Sequence, residues 1–247
     1  MDYGKALKAV FEDKNWIGVI LVGGALGLIS LLLVWTIIVP FLVAAVLYGY
    51  MMQYIRDVRY NPDAHLPDWT DWGKKLADGF KLMIVQLIWS LPIFIFLMPV
   101  LFLFVLMGIY PDSDTLAVIT GLTSSVMVIL AMIYGVVLFF LMPAITVNLA
   151  IREDFSAGLD IGEIFRITKS YFADILIILI ILVGISYVAN WIGLLLLFFG
   201  VFFTSFWVML VQGHLYGQLA RLSIPVANPD DTSLPVPAAP QPDPATN

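Results

Sequence analysis

The side chains of this chain that could do chemistry are few and far apart. His214 is the one side chain able to charge near neutral pH between Ile175 and Ala220, and Gln86, Asn190 and Gln212 are amides set inside apolar runs. An ionisable group in such a run is a candidate proton relay. The plainer and preferred reading of His214 is a neutral imidazole hydrogen-bonded between helices or reaching an interface. Amides offer donors and acceptors without charge. Gln86, Asn190, Gln212 and His214 would therefore suit a polar cavity for an uncharged solute, if the fold brings them together.

A second set lies where apolar runs end. Gln53 precedes Arg56, Asn148 precedes Arg152, and Gln218 precedes Arg221. Three such pairs could form an inner-face ring for anionic headgroups or a solute. Arginine at a helix end also anchors orientation by snorkelling, which is the simpler role. His65, in the stretch from Arg59 to Trp69, has no second histidine or carboxylate cluster at ligand spacing, so no metal site is expected. Acid–base and nucleophilic catalysis need converging titratable groups. No Asp, Glu, Lys or Arg lies inside the apolar runs, no zinc-protease, P-loop or serine-elbow motif occurs, and cysteine is absent. The expectation is no enzyme, no catalytic, cofactor-binding or metal residues, and no cofactor.

The elements that must position these groups follow from composition. Of 247 residues 61% are hydrophobic and 12% charged, with a mean hydropathy of +0.98. A soluble domain carries about 25% charged residues, so lipid must cover much of this surface. The net charge of −6 argues against nucleic acid. No short apolar core with a small-residue cleavage site opens the chain, so the first span is expected to act as its own insertion signal.

Ile17 to Ile55 carries no charge. As one helix it would be nearly 60 Å long at about 1.5 Å per residue, twice a hydrocarbon core, so it must fold back on itself. Trp35, Thr36 and Pro40 mark the expected turn. Leu82 to Ile109 reads as a third span with Pro92 and Pro99 as kinks, and residues 110–115 as a turn. Leu116 to Ile151 is expected to break at Pro143. Ile175 to Ala220 folds back near Asn190 and Gly193. The result is an all-α polytopic membrane protein with six transmembrane helices in three hairpins, over residues 1–223. Residues 224–247 read as a disordered Pro/Ala/Asp-rich tail. The twelve Lys and Arg avoid all three hairpin turns. The positive-inside rule then places both termini in the cytoplasm and the protein in the cell membrane.

Each hairpin is preceded by an amphipathic segment. Tyr3, Ala6, Leu7, Val10 and Phe11 share one helical face; Trp69, Trp72, Leu76 and Phe80 share another; Ile161, Ile164, Phe165, Thr168 and Phe172 a third. Three cytoplasmic interfacial helices over 3–14, 69–80 and 160–172 are expected, and with them possible repeats at 1–58, 66–153 and 159–223. Asp160 and Glu163 resemble a capping box. Gly23/Gly27, Ala117/Gly121/Ser125 and Gly213/Gly217 have the spacing of close-packed helix seams.

Residues 49–81 carry a resemblance. Gly49-Tyr50, Arg56, Leu66-Pro-Asp-Trp69, Trp72-Gly73 and Asp78-Gly79 resemble the prokaryotic membrane family of domain of unknown function 4013. Asn61-Pro62-Asp63 stands where that family usually has a glycine. The family implies no activity and no functional residues. The repeated pattern of interfacial helix and hairpin also looks like the membrane domains attached to some glycerophosphodiesterases, a likeness of fold alone. The expectation is a non-enzymatic scaffold, assembly or lipid-organising component, with membrane lipids and a membrane or cytoplasmic protein as partners. The alternative is a channel or small transporter for an uncharged or apolar solute.

Overall fold

The computed structural model describes residues 1–196 and 198–224. The tail expected over 224–247 lies, apart from Ile224, outside the described residues. Among the described residues the structure is all-helical, with no strand: α1 (Tyr3–Glu12), α2 (Trp16–Leu32), α3 (Ile38–Tyr60), α4 (Trp72–Ile109), α5 (Asp114–Arg152), α6 (Ile161–Ser170), α7 (Phe172–Leu195) and α8 (Gly200–Ser223). By length and composition α3, α4, α5 and α7 can each cross a membrane, and α1 with α2, bent by 93°, make a fifth candidate if taken as one span.

Local chemistry explains most boundaries. Asp2 caps α1 by accepting from the Lys5 N–H at 2.9 Å. The helix stops at Asp13, whose carboxylate accepts from the Asn15 N–H at 2.7 Å and turns the chain into α2. Ala6 and Val10 bury the α1 stripe. Asp160 caps α6 through the Glu163 N–H at 3.0 Å, which is half of the expected capping box. The Glu163 carboxylate is drawn instead to Arg166 and Arg152. The first turn falls where expected, with a 3-10 turn at Val34–Thr36 and Pro40 in the first turn of α3. Ser113 caps α5 through the Leu116 N–H, fixing the second.

Three expected helix boundaries need correction. The middle amphipathic segment over 69–80 is not a separate interfacial helix: from Trp72 it is the opening of the 38-residue α4. Asp71 has a left-handed φ of 50°, so the chain bends before Trp72, and no breaker stands between Gly79 and Leu82 to bend it again. Pro143 does not divide α5, which is continuous over 39 residues. Nor do Asn190 and Gly193 form the last turn. Both are inside α7, and the reversal falls beyond Leu195, where Phe198 takes a φ of 63°.

The core gathers at the end where the basic residues lie, with Tyr50, Met51, Tyr54, Ile55, Leu82 and Ile145 fully buried or nearly so. Here α3 and α4 cross backbone to backbone. A Cβ on Gly49 would collide with the Lys75 carbonyl oxygen, and one on Gly79 with the Ala45 carbonyl oxygen. The Gly23 seam seats Phe206 of α8, and the Gly213/Gly217 seam seats Tyr54 and Val58 of α3. The third expected seam is not one. Nothing approaches Gly121 within 4 Å, and the buried residue of that turn is Thr120. Toward the other end α4 and α5 run out as an arm with Leu101, Phe102, Leu122 and Ile129 exposed. Phe96 and Tyr134 hold the arm together at a ring separation of 6.4 Å.

Candidate functional site

Two cavities at mid-length, each open on one side, share a wall. The larger, about 570 Å³, lies among α3, α4, α5, α7 and α8 and is lined by Gln86, Thr146, Ser186, Asn190 and Gln212 on its polar side. Met51, Phe139, Met142, Leu179 and Val183 supply much of its apolar side. The smaller, about 240 Å³, lies at the α7–α8 seam, where Ser205, Ala189, Val208 and Met209 join Ser186, Asn190 and Gln212. No Asp, Glu, Lys, Arg or His lines either one. Phe139, Val183 and Tyr187 stand at the rim of the larger cavity and are exposed, Tyr187 by 65%. The cavity therefore opens sideways, between α5 and α7.

Three of the four amides and imidazoles singled out in the apolar runs thus meet: Gln86 from α4, Asn190 from α7 and Gln212 from α8. Helical phase explains it. Ser186 and Asn190 are four residues apart on one face of α7. Tyr216, four residues beyond Gln212 on α8, lines the larger cavity beside it. Neither Gln86 nor Asn190 has a side-chain partner among the described residues. Gln86 is half-buried and Asn190 exposed, so their donors and acceptors face whatever occupies the cavity. These groups therefore favour a polar occupant, water or the head of a ligand.

His214 is elsewhere. It is fully buried at the basic end, its Nε2 3.3 Å from the Pro62 carbonyl oxygen and its Nδ1 3.1 Å from the Gln218 amide. Gln218 in turn grips both the N–H and the carbonyl of Asp2, at 2.7 and 2.8 Å. Imidazole and amide tie α8 to the loop after α3 and to the start of α1.

The amide–arginine pairs at the basic end are taken up in separate contacts. Arg56 donates to Asp78 at 2.7 Å and to the Ala150 carbonyl at 3.3 Å, with Glu153 3.5 Å away. Asn148 donates to the Ala157 carbonyl at 2.8 Å, and its own side-chain oxygen is buried without a partner. Arg152 pairs with Glu163 at 3.2 Å. Gln53 is half-buried on α3 and Arg221 is exposed. Arg221 borders, with Gln218, Lys5 and Leu222, a groove of about 250 Å³. Hydrogen bonding by Arg166 is the main cause that holds the Glu163 carboxyl below its ordinary range, against a smaller opposing effect of burial.

The motif over residues 49–81 has a spatial meaning that spacing alone did not reveal. Tyr50 donates its hydroxyl to the Pro67 carbonyl at 2.6 Å and packs at a tilt against Trp69, ring centroids 4.4 Å apart, which stacks on Trp72 at 5.5 Å. Leu66 N–H reaches Asp13 at 2.9 Å, and His65 Nδ1 lies 3.3 Å from the same carboxylate. Gly49, Gly79, Arg56 and Asp78 are the α3–α4 crossing itself. The motif builds the support beneath the cavity rather than its lining.

The model of the family described as protein of unknown function (DUF4013) matches residues 32–198. The chain belongs to this family. No curated protein and no solved structure matches it. The matched segment spans α3 to α7, and so includes the α3–α4 crossing and the Gln86 and Asn190 walls of the cavity.

Proposed function

We propose that this protein is a non-enzymatic integral component of the cell membrane that holds an uncharged, amphipathic molecule drawn from the lipid phase. The observation that carries the reading is the 570 Å³ cavity, free of charged lining, with Gln86, Asn190 and Gln212 converging in it. Its volume falls within the roughly 300–1,000 Å³ of small-molecule sites. Its sideways mouth suits an entrant from the bilayer.

In this reading the chain crosses six times. At about 1.5 Å per residue α8 is roughly 36 Å long, and the 17 residues of α2 are at the short limit for a span. The basic end and both termini face the cytoplasm, because every Lys and Arg lies away from the turns at the opposite end. There α1 and α6 lie at the membrane surface with their charged faces outward.

A second reading, passage of a small uncharged solute, is favoured by one observation: a second cavity shares Ser186, Asn190 and Gln212 with the first. The test is extraction of the protein in lipid nanodiscs and identification of bound small molecules by native mass spectrometry. Wild type is expected to retain a neutral lipid that the Gln86→Leu/Gln212→Leu variant loses. An empty wild-type protein contradicts the binding reading. Equilibration of a small neutral solute across proteoliposomes, lost in the same variant, would favour the second.

A further inference from the structure

We infer that the smaller cavity at the α7–α8 seam is the head compartment of the ligand site, entered between Ser186, Asn190 and Gln212 by the uncharged hydrogen-bonding head of a single-chain lipid. This deepens the binding reading above and rests on it. The polarity of the two cavities sets the direction. Most of the larger lining is apolar, and three of its polar groups stand on the wall it shares with the smaller. In the smaller cavity Ser186, Asn190, Ser205 and Gln212 outnumber Ala189, Val208 and Met209. A chain settles against Met142, Leu179 and Leu182, and its head is drawn through the shared wall.

The seam is shaped for this. At one end α7 and α8 are pinned backbone to backbone, since a Cβ on Gly193 would sit 2.6 Å from Val201 Cα. At the other, Tyr171 donates its hydroxyl to the Leu222 carbonyl at 2.7 Å. Between the pins Ser186, Asn190 and Ser205 stay exposed, open to an entering head. Carboxamides and hydroxyls both donate and accept, which matches a head carrying hydroxyls or an ester. With no charged group in either cavity, an ionised head would be desolvated without compensation.

The experiment measures binding of two radiolabelled probes to the full chain in phosphatidylcholine nanodiscs: 1-oleoylglycerol, and 1-octadecene, which has a comparable chain and no polar head. Ser205→Trp fills the smaller cavity alone, and Ser205→Ala removes its hydroxyl without adding bulk. Both variants are expected to weaken 1-oleoylglycerol binding at least tenfold and to leave 1-octadecene binding within twofold. Equal loss of both probes, or unchanged binding of both, in a variant whose thermal unfolding matches wild type, overturns the head compartment while leaving the larger cavity as a site. Because Ser205→Ala adds no volume, it reads out even where Ser205→Trp fails to fold. Failure of wild type to bind either probe overturns both readings together.

Discussion

Arg56 and Asp78 meet at 2.7 Å with only 12% and 5% of their side chains exposed. Removing one member of such a pair leaves the other charge poorly solvated, a change that costs roughly 3–5 kcal/mol. Asp78→Ala is expected to lower stability by about that amount in reversible unfolding from mixed micelles. Arg56→Met/Asp78→Leu should recover most of the loss, because neither charge is then stranded. Equal stability of Asp78→Ala and wild type would show that the pair is solvated after all. Glu163 tests a different kind of charge. Its folded pKa lies below the ordinary value of 4.5, chiefly through Arg166. Its contribution is therefore complete above that value and is lost as pH falls through the lower folded one. Exchange of amide hydrogens in α6 should be flat from pH 7 to about 5, after correction for the intrinsic rate, and rise below the ordinary value. Glu163→Gln should show the faster exchange already at pH 7. A variant indistinguishable from wild type at pH 7 would remove Glu163 from the docking of α6.

Among the elements, the α3–α4 crossing makes the sharpest distinction between glycines. Gly79 faces the Ala45 carbonyl so closely that a methyl group cannot enter, whereas nothing lies within 4 Å of a Cβ on Gly73, one helical face away. Gly79→Ala is expected to abolish accumulation of folded protein, measured by monodisperse yield from size-exclusion chromatography. Gly73→Ala should be neutral or stabilising by a few tenths of a kcal/mol, because alanine favours helix by about 1 kcal/mol over glycine. Similar yields for both would contradict a backbone-to-backbone crossing. The elements also show where the sequence could be read. α1 and α6 are legible because each carries its own stripe ahead of an apolar run. The end of α6 is not, since the expected segment over 160–172 runs past the break at Tyr171 into Phe172 of α7. The segment from Trp72 to Lys81 has the same apolar stripe but no residue that stops a helix, so it continues into α4. Periodicity reports a face, and only punctuation reports an end. The last turn was misplaced for the same reason: residues 194–199 are Leu and Phe, with no turn-forming residue among them.

At the scale of the whole molecule, the candidate site was legible in part. An amide within an apolar run announces itself, and Gln86, Asn190 and Gln212 meet at one depth. Thr146, Ser186 and Ser205 carried no such signal, because a helical hydroxyl can return its hydrogen bond to its own backbone. His214 shows the limit of depth as a guide, since a position inside a run does not say which way the ring faces. The packing gradient, dense at the basic end and open along the α4–α5 arm, places the support and the cavity in series. The proposed topology rests on the segregation of the basic residues. Single cysteines replacing Asp63 and Ser156 should react only from the cytoplasmic side of sealed vesicles, and one replacing Ser113 only from outside. Labelling of position 113 from the cytoplasm would reverse the orientation.

A neutral lipid that occupies the cavity must enter between α5 and α7. A diazirine-bearing monoacylglycerol, irradiated with the wild-type protein in nanodiscs and mapped by peptide mass spectrometry, measures this without any mutation. The expected result is enrichment of label on residues 139–146 and 179–190, which carry Phe139, Met142, Leu179 and Val183 of the cavity wall. Label spread evenly over the outward residues of the arm, Phe102 and Leu122 among them, with no excess at those two segments, would contradict it.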